Sequence, residues 1–251
     1  MRNQVFVCLI LFFISPVTFS DCVLKMRVAD YKPYHYLNDQ KEYVGLNIDM
    51  VKVLMEEANC TVTYHDVPWK RALSMMESGE LDFMVNMSIT EERSKYINFI
   101  GPQMDESVVL VVRNDFNHKL ASLEDLKDLP HGIGIETGLF YGVEFDEKIK
   151  SDLKFRNKVE TVHDINFNFR KLKFSRISGW ITDKYYALHQ IKTDTEYSDF
   201  KVYPNFYINR SKVYYGFSKE SVGQELLFRL KAAYQRATKA GRFSKVLSQY
   251  E

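Results

Sequence analysis

The sequence predicts an α/β protein with two lobes, each built on a mixed, mostly parallel β-sheet flanked by helices. Strand-like runs alternate with helical stretches of about ten to fifteen residues, and this alternation is typical of parallel sheets. The strands are too many for one compact sheet in 251 residues, and both halves contain complete β–α–β units. Because no linker rich in Gly, Ser or Pro separates the halves, we expect strands that run from one lobe to the other.

The first half of the chain alternates three strands with three helices. Short apolar or β-branched runs indicate strands at 25–29, 61–64 and 81–85. Apolar residues at helical spacing indicate two helices, at 45–59 and at 68–79, where a Pro occupies the first turn and a Gly ends the helix. A third helix is expected from Thr90, because acidic residues at its start complement the helix dipole.

The second half repeats this pattern. The strands are expected at 107–112, 131–136, 158–162, 177–182 and 212–217. The helices are expected at 122–127, after Gly138, at 166–174, from Asp183, at 222–240 and at 242–250.

Composition limits the classes of function. A chain that is 45% hydrophobic, with only 11 Gly and 6 Pro, is neither disordered nor collagen-like. Its 34 basic and 33 acidic residues leave no basic excess for a nucleic-acid backbone, so we expect no nucleic-acid partner. The six histidines lack metal-ligand spacing, and no phosphate-binding loop or nucleophile elbow occurs. We therefore expect no metal, no cofactor and no catalytic residue.

Residues 1–20 have the pattern of a signal peptide. Arg2 gives a positive start, residues 5–15 are apolar, and Thr18 and Ser20 are small residues before the cleavage point. The apolar run is too short to cross a bilayer of ~30 Å. We expect cleavage after Ser20 and export of the mature chain out of the cytoplasm. Asp21 precedes Cys22 where a lipidation site needs a small residue, so we expect no lipid anchor.

Two cysteines remain after the signal peptide is removed. Cys22 precedes the first strand and Cys60 opens the second, so parallel pairing of those strands would bring the two residues together. In an oxidising compartment we favour a disulfide, with two buried thiols as the alternative.

One segment carries most of the functional information. Residues 79–93 have the sequence GELDFMVNMSITEER, which resembles the ligand-binding segment of the bacterial extracellular solute-binding proteins, family 3, of the polar amino-acid type. The similarity continues in the other segments that follow: Tyr-Lys-Pro-Tyr at 31–34, Gly-Leu-Asn-Ile-Asp at 45–49, Trp69, Phe-x-x-Pro at 99–102, 122–127, and Gly-x-Phe at 241–243.

The resemblance implies a two-lobed periplasmic binding protein-like fold of type II, with a ligand cleft between the lobes. Lobe 1 would comprise residues 21–110 and 214–251, and lobe 2 residues 111–213. Two crossings, near 109–112 and 212–215, would form a hinge made of strands.

By the same resemblance, Arg93 holds the carboxylate of the ligand. A guanidinium group meets a carboxylate in two parallel charge-assisted bonds. Without the motif, Arg93 would be interpreted as a solvated helix residue. Ser88 would add a hydroxyl group, with a helix-entry residue as the alternative, and Asn86 is expected among the ligand-binding residues.

The opposite side of the cleft would be formed by an acid and by aromatic walls. Asp183 matches the family's carboxylate for the ligand α-ammonium, although Asp at this place also suits a helix N-cap. Tyr31 and Trp69 match the walls of the side-chain pocket, with core packing as the alternative. Tyr34 and Trp180 are interpreted as structural.

The second lobe departs from the family pattern. Where the family has Gly followed by Thr or Ser, this chain has Gly138, Leu139 and Phe140, so one hydroxyl donor is missing. Where the family has Gly-Arg-x-Asp, residues 175–178 are Ser-Arg-Ile-Ser.

The resemblance implies a monomeric periplasmic protein that closes on a small polar ligand, an amino acid, and presents it to the permease of an ABC transporter. Two alternatives stay open. The protein could be the ligand-sensing partner of a membrane receptor, or a cleft enzyme such as a cyclic-acid dehydratase. Glu136 is the candidate general acid for the enzyme.

Overall fold

The computed structural model describes residues 22–250. The predicted signal peptide, residues 1–20, lies outside the described residues. The described chain alternates strands and helices. The strands are β1 (Val23–Val28), β2 (Tyr36–Leu37), β3 (Tyr43–Val44), β4 (Thr61–Asp66), β5 (Phe83–Met87), β6 (Ile97–Arg113), β7 (Gly132–Glu136), β8 (Val159–Val162), β9 (Ile177–Asp183) and β10 (Phe200–Ser218). The α-helices are α1 (Leu46–Ala58), α2 (Trp69–Ser78), α3 (Glu91–Ser94), α4 (Val143–Ser151), α5 (Leu153–Lys158), α6 (Ile165–Lys173), α7 (Lys184–Thr193), α8 (Gln224–Lys239) and α9 (Arg242–Leu247). Two short 3-10 helices lie at Leu123–Asp128 and Thr195–Tyr197.

Eight of the strands form one continuous sheet, in the order β4-β1-β5-β10-β6-β9-β7-β8. At each end of the sheet the strands pair in parallel: β1 lies between β4 and β5, and β7 lies between β8 and β9. In the middle, β10 and β6 pair antiparallel with each other, β10 with β5, and β6 with β9. The result is the mixed, mostly parallel sheet with flanking helices that the sequence predicts.

Strands β6 and β10 connect the two lobes. They are 17 and 19 residues long, and they stay paired from Ile97–Ser218 at one end to Arg113–Phe200 at the other. These pairs explain why the two lobe sheets are hydrogen-bonded into one. The expected lobe limits, residues 110 and 214, fall inside these two strands. The sequence finds only parts of β6 and β10, because a Gly-Pro pair and polar residues interrupt their apolar patterns.

The largest apolar cluster continues from one lobe into the other. It contains Met26 on β1 and Leu54 on α1 together with Trp180 on β9 of the second lobe. A separate cluster contains Leu110 on β6 and Phe145 on α4.

The disulfide prediction is confirmed, since Cys22 is bonded to Cys60. The bridge forms because β1 and β4 pair in parallel with Val23 opposite Thr61, which brings the starts of both strands together.

The helix expected from Thr90 is a single turn. Within residues 22–250, no helix combines the length and the apolar character that crossing a membrane requires.

Candidate functional site

A cavity of about 310 Å³ lies between the lobes. Its wall contains all six residues that the sequence predicts as ligand-binding: Tyr31, Trp69, Asn86, Ser88, Arg93 and Asp183. They come from five separate parts of the chain, and the crossing strands β6 and β10 hold those parts together.

Arg93 lies on α3 and is 5% exposed. The Thr90 hydroxyl caps this turn by accepting a hydrogen bond from the Arg93 backbone N–H at 3.2 Å. Two guanidinium nitrogens donate to backbone carbonyls, Nη1 to Ser88 and Nη2 to Gly138, both at 3.0 Å. Since a guanidinium has five N–H donors, three remain for a ligand. Burial lowers the pKa of Arg93, yet the group stays charged at neutral pH.

The Gly138 carbonyl receives a second donor from the first lobe. Trp69 Nε1 lies 3.0 Å from the Gly138 oxygen. Gly138 has a φ of +86°, a conformation that side chains other than glycine rarely adopt. The guanidinium carbons of Arg27 and Arg93 lie 5.3 Å and 5.7 Å from the centre of the Trp69 ring. Trp69 is therefore held by a polar bond to the second lobe and by two cation–π contacts.

Asp183 is both the N-cap of α7 and a residue of the cavity wall. It is 8% exposed, caps α7 by accepting a 2.7 Å bond from the Tyr186 N–H, and also lines the cavity. The Tyr34 hydroxyl donates to the same oxygen at 2.8 Å, so Tyr34 is more than the structural residue the sequence suggests. Burial raises the pKa of Asp183 to about 6, against the hydrogen bonds that lower it. Trp180, by contrast, is buried in the core.

Tyr31 forms an aromatic wall that involves both lobes. Its ring stacks on Tyr186 of the second lobe with centroids 4.4 Å apart and on Tyr34 with centroids 5.5 Å apart. Burial raises the pKa of Tyr31 well above its ordinary value, so its hydroxyl stays neutral and can donate or accept a hydrogen bond.

Asn86 lines the cavity and has an unused side-chain acceptor. Its φ is +54°, and its backbone N–H donates a 3.0 Å bond to Gln103 Oε1. Gln103 Nε2 in turn donates to Asn47 Oδ1 at 2.8 Å, which supports Asn86 from behind. The Asn86 Oδ1 atom is buried and has no hydrogen-bond partner in the described part of the chain. A ligand N–H group would satisfy it.

Similarity to known proteins identifies the family to which the chain belongs. The model of the bacterial extracellular solute-binding proteins, family 3, matches residues 24–251. The chain belongs to this family. The match covers both lobes and every residue of the cavity wall.

Two curated relatives are similar to part of this chain. The ABC transporter arginine-binding protein 1 of Escherichia coli (strain K12) is 27% identical over 171 residues, covering 67% of this chain and 65% of that protein. The L-cystine-binding protein TcyJ of the same strain is 21% identical over 163 residues, covering 64% and 59%. The chain thus matches less than two thirds of the length of either relative.

Solved structures share the whole two-lobed architecture. An ancestral arginine-binding protein bound to glutamine has a TM-score of 0.77 at 22% identity, covering 92% of this chain and 99% of that one. A histidine kinase sensor domain with similarity to periplasmic binding proteins has a TM-score of 0.76 at 17% identity, covering 92% and 95%. At these identities the likeness concerns the fold alone.

Arg27 and Glu106 also line the cavity, and the sequence does not single out either of them; Glu136, the candidate general acid, lies in the wall as well. Burial raises the pKa of Glu136 to about 7, while nearby Arg27 opposes the shift. Burial and the Asp183 carboxylate raise the pKa of Glu106 to about 8, while Arg93 opposes it. Each lies in a strand without a motif, and its side-chain direction depends on the strand's alternation. Only an accurate strand register could have revealed Arg27 and Glu106 as wall residues.

Proposed function

We propose that the chain is a periplasmic, monomeric solute-binding protein that captures an α-amino acid in the cavity and presents it to the permease of an ABC transporter. Lobe 1 would comprise residues 21–110 and 214–251, and lobe 2 residues 111–213. The observation that carries the proposal is that Arg93 and Asp183, one cationic and one anionic, line the same cavity from different lobes.

The proposed contacts follow from the chemistry of the wall. The free N–H groups of Arg93 would bind the ligand carboxylate, aided by the Ser88 hydroxyl. The Asp183 carboxylate and the free Asn86 oxygen would accept bonds from the ligand ammonium. A ligand without an amine would leave the Asp183 carboxylate without a counter-charge and Asn86 Oδ1 without a donor, and an uncompensated buried charge costs several kcal/mol. Leu139 supplies no donor, so Arg93 carries more of the carboxylate binding.

Closure is supported by the contacts between lobes. Arg93 and Trp69 reach Gly138 on one side of the cavity, and Tyr34 reaches Asp183 on another. A ligand that touches both lobes would favour the closed arrangement by its differential affinity for that state. Strands β6 and β10 would bend or twist to allow the two lobes to rotate toward each other.

Calorimetric titration of the purified protein tests the amino-acid proposal. The panel would hold the common L-amino acids, small dicarboxylates and cyclic acids. We expect binding of at least one α-amino acid and none of any dicarboxylate. Binding of only a ligand that lacks an amine would contradict the proposal and leave the two-lobed fold intact.

A second experiment separates transport from sensing. Uptake of the bound amino acid would be measured in cells with and without the gene for this chain. Loss of uptake is expected for a transporter component. Unchanged uptake, with loss of a transcriptional or motile response to the same amino acid, would favour the receptor partner.

Glu136 favours one other candidate, a dehydratase of cyclic acids. A carboxyl group with a pKa of about 7 on a cavity wall is suited to protonate a leaving hydroxyl group. Release of water from a cyclic hydroxy acid, seen as a new ultraviolet-absorbing double bond and lost in Glu136→Gln, would support the enzyme. Absence of turnover by the wild-type protein would exclude it for the acids tested.

A further inference from the structure

Glu106 lies in the cavity wall beside the proposed ammonium site. On β6, successive side chains point to opposite faces, so Glu106 and Val108 share the face that lines the cavity. The β6–β9 pairing places Val108 opposite Asp183. Glu106 is thus a diagonal neighbour of Asp183, a relation that spans roughly 7–8 Å between backbones and is within reach of long side chains. On its other side, β10 places the uncharged Ser211 opposite Glu106.

The charges that face Glu106 leave it without a cation of its own. Asp183 from β9 disfavours its ionised form, and Arg93 from α3 favours it. Arg93 is already bonded to two carbonyls and is the proposed carboxylate receptor. None of the ion pairs within residues 22–250 includes Glu106. The other titratable groups that interact with Glu106 are neutral phenols: Tyr31, Tyr34 and Tyr141.

The cavity wall has more acidic side chains than basic ones. A zwitterionic ligand balances Arg93 and Asp183 and leaves Glu106 uncompensated. The complete wall carries two arginines against six acids: Asp30, Asp66, Glu106, Glu136, Asp164 and Asp183. A carboxylate that is largely shielded from water and has no partner either takes up a proton or receives a cation.

We propose that Glu106 is a ligand-binding residue whose carboxylate receives a cationic nitrogen of the ligand, so that the cavity prefers α-amino acids with a net positive charge to neutral ones of the same shape. The inference rests on the proposed amino-acid function. It adds a residue outside the motif and a charge requirement on the ligand. Because a cation stabilises the ionised carboxylate, binding releases the proton that Glu106 holds in the empty cavity near neutral pH.

Two probes of nearly equal shape test the charge requirement. L-arginine and L-citrulline differ mainly in replacing a guanidinium by a neutral urea group. We expect the wild-type protein to bind arginine at least tenfold more tightly than citrulline by calorimetry. Glu106→Gln should weaken arginine binding at least tenfold and citrulline binding less than threefold. Titrations at pH 7 in two buffers of different ionisation enthalpy should show release of nearly one proton by the wild type and clearly less by the variant.

Asp105→Asn is the matched control. It makes the same kind of change on the same strand, but its side chain is 85% exposed and lies outside the cavity wall. Its affinity for both probes should equal that of the wild type. A thermal unfolding curve for each variant confirms that it is folded.

Equal affinity of the wild type for both probes, or equal weakening of both by Glu106→Gln, would overturn the charge requirement and leave the proposed function standing. Unchanged arginine binding by Glu106→Gln would overturn the role of this residue. Failure of every amino acid to bind the wild type is a different result, which contradicts the proposed function itself and this inference with it.

Discussion

The Tyr34 hydroxyl donates a 2.8 Å hydrogen bond to Asp183 Oδ1, joining residues 149 positions apart. The same oxygen accepts the Tyr186 N–H, so one carboxylate is held by a side chain of the first lobe and by the helix that it caps in the second. This arrangement fixes the direction of Asp183 and ties its position to the contact between the two lobes.

Tyr34→Phe should therefore weaken ligand binding without removing it. The change leaves the phenyl packing in place and takes one donor from a buried carboxylate, which costs about 1–3 kcal/mol in unfolding free energy. We expect a roughly threefold to tenfold loss of affinity by calorimetry. Tyr36→Phe, two residues away and outside the cavity wall, is the control and should change neither quantity.

Asp183→Asn should weaken the binding of an α-amino acid at least tenfold. The amide keeps the shape of the residue and one acceptor oxygen, but it loses the charge opposite the ligand ammonium; a hydrogen bond to a charged group contributes about 1.5–3 kcal/mol. Affinity within threefold of the wild type would show that Asp183 serves only as the cap of α7.

Arg93→Ala should abolish binding, and the structure adds a cost to folding. From the sequence, Arg93 is a free receptor whose removal leaves the empty protein unchanged. The change instead predicts a loss of about 1–3 kcal/mol in unfolding free energy, because the Ser88 carbonyl loses its donor, whereas the Gly138 carbonyl keeps the bond from Trp69. Arg93→Lys should also bind poorly, since an ammonium cannot reproduce the planar fork. Urea unfolding and calorimetry measure the two effects separately.

The disulfide can be tested directly. Thiol labelling under denaturing conditions should find no free cysteine in protein taken from the periplasm. Replacing Cys22 and Cys60 with Ser opens a loop closed over a sequence separation of 38 residues, which lowers the unfolding free energy by about 4 kcal/mol on the chain-entropy estimate. Two labelled cysteines per chain would contradict the bridge.

The stability of the ligand-free protein should fall as the pH rises from 6.5 to 8. Burial raises the pKa of Glu106 to about 8 and of Glu136 to about 7, from ordinary values of 4.5. In this window the folded chain binds more protons than the unfolded chain, so raising the pH favours unfolding. Below pH 6.5 the opposite effect of His35 begins, because burial lowers its pKa to about 4.

Urea unfolding at several pH values across this window measures the slope. Glu106→Gln removes one of the two titrating groups and should flatten it. A slope unchanged by Glu106→Gln would show that Glu106 is already ionised in the folded protein at pH 6.5.

Local patterns in the sequence were sufficient for most of the fold. The alternation of strands and helices and their Pro and Gly boundaries depend on neighbouring residues along the chain. The pairing of the two cysteines depends on two adjacent parallel strands. The motif at 79–93 identifies the Arg93 segment through its resemblance to the family, and the same resemblance points to Asp183. These features are visible without coordinates because their geometry repeats every two residues or every turn.

The tertiary structure alone decided which contacts hold the predicted residues, and it alone placed Glu106 in the cavity wall. Glu106 reaches it only because β6 crosses between lobes in a particular register with β9, and Tyr34 reaches Asp183 only when the lobes meet. The Gly138 carbonyl became the partner of Arg93 and Trp69 through a turn in the other lobe. Such contacts join residues far apart in the chain, and a shift of one residue in strand register would turn their side chains to the opposite face.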